Sequence, residues 1–400
     1  MNKKFYFALA LTAVITLVVA SLGVSPLSSS AAEQPVRKIV VFKPGVLSDS
    51  ARENLISKFG GAKIKNLDLI GAKAVYLPPK AEAALARQAG VLRIDDDVVV
   101  EALIRGGIAA KPTPTQPSEV LPWGVDRIDA EKVWGITTGD PIKVAIVDTG
   151  IDVKHPDLVG NLKGGVSTVA YTRKYNDDNG HGTHVAGIAA AIDNTIGVIG
   201  VGPKIDLYAV KVLDGRGSGY LSDVIEGLDW AVANGMQVVN MSLGTGSNIQ
   251  SFHDAVIAAK NAGVVVIAAA GNSGGSVIYP AAYSEAIAVS ATDQNNVIAS
   301  WSSRGPEIDL AAPGVSIYST YKGTGYATLS GTSMAAPHVA GSAALVLNTP
   351  VGGYDINQNE KWDPDEVQKK LQDRAVDLGN TGFDNLYGWG LVNAYSAVQP

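Results

Sequence analysis

Three short stretches of this chain carry the residue types that acyl transfer needs. "VAIVDTGID" places Asp148 at the end of an apolar run, "NGHGTHVAG" places His181 at a glycine-rich turn into a helix, and "TLSGTSMAAPHVAG" places Ser333 at the first turn of a helix of small residues. A serine hydroxyl is a weak nucleophile that needs an adjacent base, and the base needs a carboxylate to orient it. A helix N-terminus adds unpaired N–H groups and a partial positive charge, both of which favour an oxyanion. Gly331, Ala335 and Ala336 leave room for a substrate backbone, and Pro337 deprives the Ser333 carbonyl of its usual partner four residues on. Asn272, after "VVVIAAAG", is a further polar group at the end of an apolar run. Each of these residues also has an ordinary reading: Asp148 as a helix cap, Asn272 as a turn former, Ser333 as an N-cap. Together those readings need independent coincidences at every position.

The elements that must position these residues follow from the hydrophobic pattern. Residues 37–103 read as a small domain: a strand at "RKIVVFKP", a helix at "SDSARENLISKFGG" with Ser50 and Glu53 as a capping box, strands at "AKIKNLDLI" and "AKAVYLP", a helix at "KAEAALARQAG" and a last strand at "VLRIDDDVVVEAL". The order β-α-β-β-α-β is a ferredoxin-like pattern. "IRGGIAAKPTPTQPSEV" follows as an exposed linker. From Leu121 onward the runs "IKVAIVD", "IDLYAVKVL", "QVVNMSL", "VVVIAAAG" and "AIAVSATD" are continuously apolar, as in parallel strands covered on both faces. Helices fit at 184–193, 219–234, 249–262, 333–347 and 364–374. The fold class expected is α/β, a doubly wound parallel sheet preceded by the small α/β domain, with ligands beyond the carboxyl ends of the strands.

"DTGID", "HGTHVAG", "AAGN" and "GTSMAAPHVAG" occur in one order and context, and with them residues 37–400 resemble the subtilisin family of serine proteases, the subtilases. The resemblance implies a serine endopeptidase with Ser333 as nucleophile, His181 as general base and then acid, Asp148 holding the imidazole tautomer, and Asn272 with the Ser333 N–H as oxyanion hole. It implies that "GRGSG" (Gly217, Ser218 and Gly219) and "SLGTG" (Ser242, Leu243 and Gly244) flank an extended peptide, which adds as a strand. Leu221, Val224 and Leu243 match an apolar pocket four residues before the scissile bond. Ala269, Ala270 and Gly271 match walls of the primary pocket. Ile278 matches a position that is often small, so a shallow primary pocket favouring Leu or Met over Phe or Tyr is expected.

"AIDNTIGVIGV" resembles the family's calcium loop, with the Ile192, Ile196 and Val198 carbonyls, the Asn194 side chain, Asp157 and Glu119 as oxygen ligands. "DINQNEKWDPDE" is a separate signal. Asp355, Asn357, Asn359, Asp363 and Glu366 fall at positions 1, 3, 5, 9 and 12 of an EF-hand-type loop, with the Lys361 carbonyl at 7, and Glu360 stands where that loop wants glycine. A second Ca²⁺ is expected there. "HGTH" lacks the glutamate of a zinc-protease motif. His184 and His338 read as structural, and His155 and His253 carry no signal.

The whole chain sets the remaining bounds. It is 46% hydrophobic and 18% charged over 400 residues, enough for a large core, and its net charge of −6 argues against nucleic-acid or anionic-membrane partners. It contains no cysteine, which excludes thiol catalysis and leaves core size or bound ions as stabilisers. Lys3, Lys4, the apolar run Phe5 to Val24 and "SSSAA" read as a signal peptide cut after Ala32, hence a secreted, extracellular protein. The organisation expected is a signal peptide at 1–32, a propeptide at 33–103 that assists folding and then inhibits, a processing linker at 104–120 and a catalytic domain at 121–400. Self-cleavage is expected after Leu103, with a bond within 104–118 as the alternative. The partners expected are protein and peptide substrates and the chain's own propeptide, with no nucleic acid, no membrane after signal removal, and a monomeric enzyme. An α/β-hydrolase esterase would need G-x-S-x-G and the order Ser, Asp, His, and this chain has neither. A catalytically inactive binding module is the remaining alternative.

Overall fold

The computed structural model describes residues 34–104, 107–109 and 116–400. The expected signal peptide at 1–32 lies outside them, as do residues 105–106 and 110–115 of the linker. The first strands and helices are β1 (Val36–Phe42), α1 (Asp49–Lys58), β2 (Ala62–Leu67), β3 (Ala72–Leu77), α2 (Pro79–Ala86) and β4 (Val91–Asp96). Their strands form an antiparallel sheet in the order β2-β3-β1-β4, with Phe42, Ile56, Leu77 and Leu85 buried between sheet and helices. Two local expectations are corrected here. The N-cap of α1 is Ser48, whose Oγ accepts from the Ala51 N–H at 3.3 Å. Ser50 is already inside the helix, and Glu53 turns to Lys63 and Lys73 instead of back to the cap. The last strand does not run on to Leu103. The chain turns at Asp97, and β5 (Val99–Ala102) leaves the small sheet.

After β6 (Gly107–Ala109) and the short α3 (Trp123–Arg127), strands and helices alternate: β7 (Lys143–Asp148), β8 (Leu162–Ser167), α4 (His181–Ala190), β9 (Asp206–Lys211), β10 (Ser218–Tyr220), α5 (Leu221–Ala233), β11 (Val238–Met241), β12 (Leu243–Gly244), α6 (Gln250–Asn261) and β13 (Val265–Ala269). Then come β14 (Ile287–Thr292), β15 (Ile308–Pro313), the hairpin β16 (Ile317–Tyr321) and β17 (Gly325–Leu329), α7 (Thr332–Leu347) and α8 (Pro364–Asp373). Seven strands form one parallel sheet in the order β15-β14-β13-β11-β7-β9-β8. This is the doubly wound α/β fold that the apolar runs predict. Alternate residues of β7 show why those runs are continuous: Val144 and Ile146 pack with α4 and α7, while Ala145 and Val147 pack with α5 and α6 on the other face.

Strand β8 and β15 and the β16–β17 hairpin are not legible as apolar runs. "LKGGVS" is glycine-rich and only partly buried at the sheet edge. Helix α4 begins at His181, three residues before its expected start.

Two helices set the geometry of the site. Every residue of α7 from Thr332 to Val346 is buried, so this helix runs through the core, and its small side chains let β13, β14 and α4 approach closely. Burying Met334, Val339, Leu345 and Val346 contributes about 1.5–3 kcal/mol each. Because α4 and α7 share one face of the sheet, their N-termini come together at its carboxyl edge, where β7 ends in Asp148 and β13 leads to Asn272.

Candidate active site

Asp148 is fully buried at the last position of β7, and its Oδ1 accepts from the Thr149 N–H at 2.6 Å. His181 is the first residue of α4. Its Nδ1 lies 2.7 Å from Asp148 Oδ1 and 2.9 Å from Oδ2. The approach depends on glycine: a Cβ on Gly182 would fall 2.2 Å from the Gly150 carbonyl, and Gly180 adopts φ +113°. Burial opposes a charged imidazole, yet the charge and hydrogen bond of Asp148 outweigh it, and the His181 pKa is raised above the usual histidine range. His181 Nε2 is buried without a partner.

Ser333 is the second residue of α7 and is fully buried. Its Oγ donates to the Ser242 carbonyl at 2.9 Å, and Ser242 Oγ returns a bond of 2.9 Å to the Ser333 carbonyl that Pro337 leaves free. The hydroxyl has one proton, so in this arrangement Ser333 does not donate to His181. Asn272 Oδ1 accepts from the Thr332 N–H and Oγ1 at 2.9 and 3.0 Å, which leaves Asn272 Nδ2 buried without a partner.

A strand of the chain itself occupies the ground between these groups. β5 lies between β10 and β12 as the middle of a three-stranded antiparallel sheet, with Gly219 opposite Val100 and Gly244 opposite Glu101. The pairing extends to Ala102 N–H on the Gly217 carbonyl (2.9 Å) and Leu103 N–H on the Ser242 carbonyl (3.1 Å). Val100 is fully buried among Leu221, Val224 and Leu243. A Cβ built on Gly331 would lie 2.6 Å from the Leu103 carbonyl oxygen and 3.2 Å from Asn272 Nδ2, so these two atoms border one small space. Ile278 fills the gap between Gly244 and Gly271: a Cβ on either would come within 2.7 and 3.3 Å of it. Ala270 accepts from the Ile278 N–H at 3.1 Å, while Ala269 sits in the core at the end of β13. Glu101, Ile104, Asn179, His181 and Arg216 line a 210 Å³ pocket beside this strand. A larger one, of 430 Å³, lies between Arg37 and Lys65 of the small sheet and Tyr171, and it includes none of the acyl-transfer groups.

Residues 139–390 match the family model described as the Subtilase family. The chain is similar over its whole length to Subtilisin E of Bacillus subtilis (strain 168), 39% identical over 409 residues covering 100% of both chains. It is 49% identical to Subtilisin Savinase of Lederbergia lenta over 284 residues, 70% of this chain and 100% of that one, and 44% identical to the Alkaline protease of Shouchella clausii over 338 residues, 84% and 81% of the two. The chain belongs to the subtilase family. It is a serine endopeptidase, a hydrolase of protein and peptide substrates.

The subtilase's oxygen-rich loop is drawn around Asp157, which is fully buried. Asp157 Oδ2 accepts from the Val198 N–H (3.0 Å) and the Tyr326 hydroxyl (2.9 Å), and Glu119 Oε1 accepts from the Asn194 N–H (2.7 Å). Asn194 Nδ2 bridges Asp157 Oδ1 at 2.9 Å and the Ile192 carbonyl at 3.2 Å. Ile196 and Val198 bridge to Ser118 and Val120. Burial and the nearby Asp193 and Asp157 charges push the Glu119 carboxyl upward. Asn194 Oδ1 accepts from the Ile196 N–H at 2.7 Å, so the Asn194 amide closes the loop here, and the oxygens gathered by the loop are of the kind a hard cation takes.

The second loop, where a further ion is expected, is likewise closed by its own hydrogen bonds. Both Glu366 oxygens are taken by backbone donors, Ile356 N–H at 2.8 Å and Asp363 N–H at 3.0 Å, the latter closing a capping box at the start of α8. Asp355 accepts from the Asn359 and Glu360 amides, Asn359 Oδ1 from Lys361 N–H, and Asp363 takes the Asn357 and Asn359 side-chain amides. Glu360 adopts φ +60° without being glycine. No three acidic or histidine side chains converge as metal ligands among the described residues, at this loop or at the Asp157 loop.

The other histidines are packed. His184 Nε2 bonds the Ile317 and Ala327 carbonyls, and burial lowers its pKa to about 3. His338 Nδ1 bonds the Met334 carbonyl, and burial lowers its pKa to about 4. His155 bonds the Gly325 carbonyl, and His253 pairs with Glu285 while stacking on Tyr283. Sequence reasoning missed Asp177 and Thr149, which bind one another beside the catalytic groups. The signal available was the Asp177-Asp178 pair just before the α4 start, in the region where side chains cap a helix.

Proposed function

We propose that the chain is an exported precursor that cuts itself after Leu103 and then hydrolyses other polypeptides by an acyl-enzyme mechanism. The reading rests above all on the Leu103 peptide. Its N–H is on Ser242, its carbonyl oxygen borders Asn272 Nδ2, and Ser333 bonds the same Ser242 carbonyl. Rotation of the Ser333 hydroxyl from Ser242 to His181 Nε2 starts the reaction. Ser333 Oγ attacks the carbonyl carbon as His181 Nε2 takes its proton, and the oxyanion is held by Asn272 Nδ2 and the Ser333 N–H. The tetrahedral intermediate collapses to a Ser333 ester when His181 passes that proton to the departing Ile104 nitrogen. Water then repeats both steps and frees the acid. Asp148 keeps Nδ1 protonated and stabilises the imidazolium throughout.

In this reading residues 1–32 are a signal peptide and the enzyme acts outside the cell as a monomer. The 33–103 segment, lying in the cleft like a product, inhibits until removed. Gly217 to Gly219 and Ser242 to Gly244 pair with substrate backbone, Val100 marks an apolar pocket formed by Leu221, Val224 and Leu243, and Ile278 keeps the primary pocket shallow. Asp157, Glu119, Asn194 and the Ile192, Ile196 and Val198 carbonyls hold one Ca²⁺, which ties the 118–120 segment to the 192–198 loop and supplies stability, not chemistry.

Intact mass of the wild-type chain and Ser333→Ala, expressed alike with calcium, tests the proposal. The expected result is loss of residues 1–103 in the wild type and retention of 33–103 in the variant. Two full-length products, or two products trimmed alike, refute self-cleavage by Ser333.

A further inference from the structure

Asp177 is a second buried carboxylate near the triad, and the steps above do not use it. It is 4% exposed, and the turn that carries it leads directly into α4. Its neighbour Asp178, not Asp177, takes the buried Lys211 ammonium. Asp177 Oδ1 accepts from Thr149 Oγ1, Asn179 N–H and Gly180 N–H, each at 2.9 Å. Its Oδ2 accepts from Thr183 N–H at 3.0 Å and Thr183 Oγ1 at 2.6 Å. Both hydroxyls accept a backbone N–H on their other side, Gly182 on Thr149 and Asp152 on Thr183, so both point their protons at Asp177. Burial pushes the Asp177 titration upward, but every group facing its oxygens is a donor, and a protonated oxygen would have nothing to bond. The carboxylate is therefore ionised at neutral pH.

We propose that Asp177 is a positioning residue for His181. It clamps the first turn of α4 to Thr149, the residue after Asp148, and it adds a second negative charge close to the imidazole. The clamp spans both sides of the His181–Asp148 contact: Asp177 binds the amide just before His181, and through Thr149 it reaches the amide just after it. The charge acts in the same direction as Asp148 on the His181 equilibrium. The other titratable groups on this side are His184, which burial keeps neutral, Tyr321, which packs on Gly180 and donates to the Asn179 carbonyl, and Glu101 and Arg216 across the cleft pocket.

The inference rests on His181 being the base. An active His181→Ala enzyme would remove that assignment itself, separately from the variants below. The test is the pH profile of kcat and kcat/KM on a short chromogenic peptide, for self-processed wild type and Asp177→Asn. The carboxamide keeps one acceptor oxygen but turns an NH₂ toward donors. The expected result is a kcat about 10- to 100-fold lower with KM nearly unchanged, because the base is misplaced. The acid limb should move to lower pH, since a neighbouring negative charge has been removed. A wild-type kcat overturns the proposal, and so does a lower kcat with an unmoved acid limb, which is what loss of packing alone produces. Should Asp177→Asn fail to fold, Thr149→Val and Thr149→Ser decide together. The valine cuts the link from Asp177 to the Gly182 N–H and should lower kcat with KM nearly unchanged, while the serine keeps the hydroxyl and should restore kcat; a wild-type kcat in the valine variant, or an equally low kcat in the serine variant, overturns the clamp.

Discussion

Replacing Asp97 by Ala probes the hold of the 33–103 segment on the cleft. Asp97 sits where the chain leaves the small sheet, and its carboxylate caps α5: Oδ1 accepts from the Ser222 N–H at 2.8 Å and Oδ2 from Ser222 Oγ at 2.9 Å. Arg37 Nε donates to the same carboxylate at 2.8 Å. Because Arg37 and Asp97 belong to one segment, their pairing survives release and drops out of the difference between held and free states. What is lost on substitution is one helix cap made of two bonds to a buried charge, which sets it in the range of charge-assisted bonds instead of neutral caps. A net loss of about 1.5–3 kcal/mol is expected, or about 10- to 150-fold weaker inhibition. The cleaved catalytic part is identical in both proteins, so stability of the enzyme does not confound the comparison. The assay is residual peptidase activity across a dilution series of the processed full chain, which gives the inhibition constant directly. Equal constants for Asp97→Ala and wild type, within twofold, refute the reasoning.

The acid limb of kcat/KM should lie above the ordinary histidine value of 6.5, since Asp148 raises His181 and the base works only when neutral; activity is therefore lost as pH falls through that raised value, and a limb below 6.5 contradicts it. Calcium should stabilise the uncut Ser333→Ala precursor as well as the processed enzyme, because Ser118 and Val120 already bridge to the 196–198 segment with the Leu103–Ile104 bond intact. The gain is about 2.7 kcal/mol when free calcium is about 100 times its dissociation constant, read as a rise in Tm that Asp157→Ala abolishes. Ile278→Ala should open the primary pocket between Gly244 and Gly271, raising kcat/KM for Phe peptides relative to Leu by about 10-fold, and an unchanged ratio counts against the pocket assignment.

Much of the fold was legible because parallel strands covered on both faces must be continuously apolar, as β7 and β13 are. Asp148, His181, Asn272 and Ser333 stood out because their residue types and flanking glycines are local properties. The pieces that failed are those whose fate depends on a distant partner. Ser50 and Glu53 satisfy the spacing of a capping box, yet Lys63 and Lys73 draw Glu53 away.

The sequence by itself determined the layered α/β architecture, the candidate reacting groups and the absence of thiol chemistry, since each follows from residue type and short-range periodicity. Only the tertiary structure decided that β5 abandons β4 for the cleft, that the Ser242 carbonyl holds both Ser333 and Leu103, and that Asp177 braces the turn before His181. Those are hydrogen bonds between groups separated by tens to hundreds of residues, and their geometry is set by how two faces of one sheet pack, which no local pattern encodes.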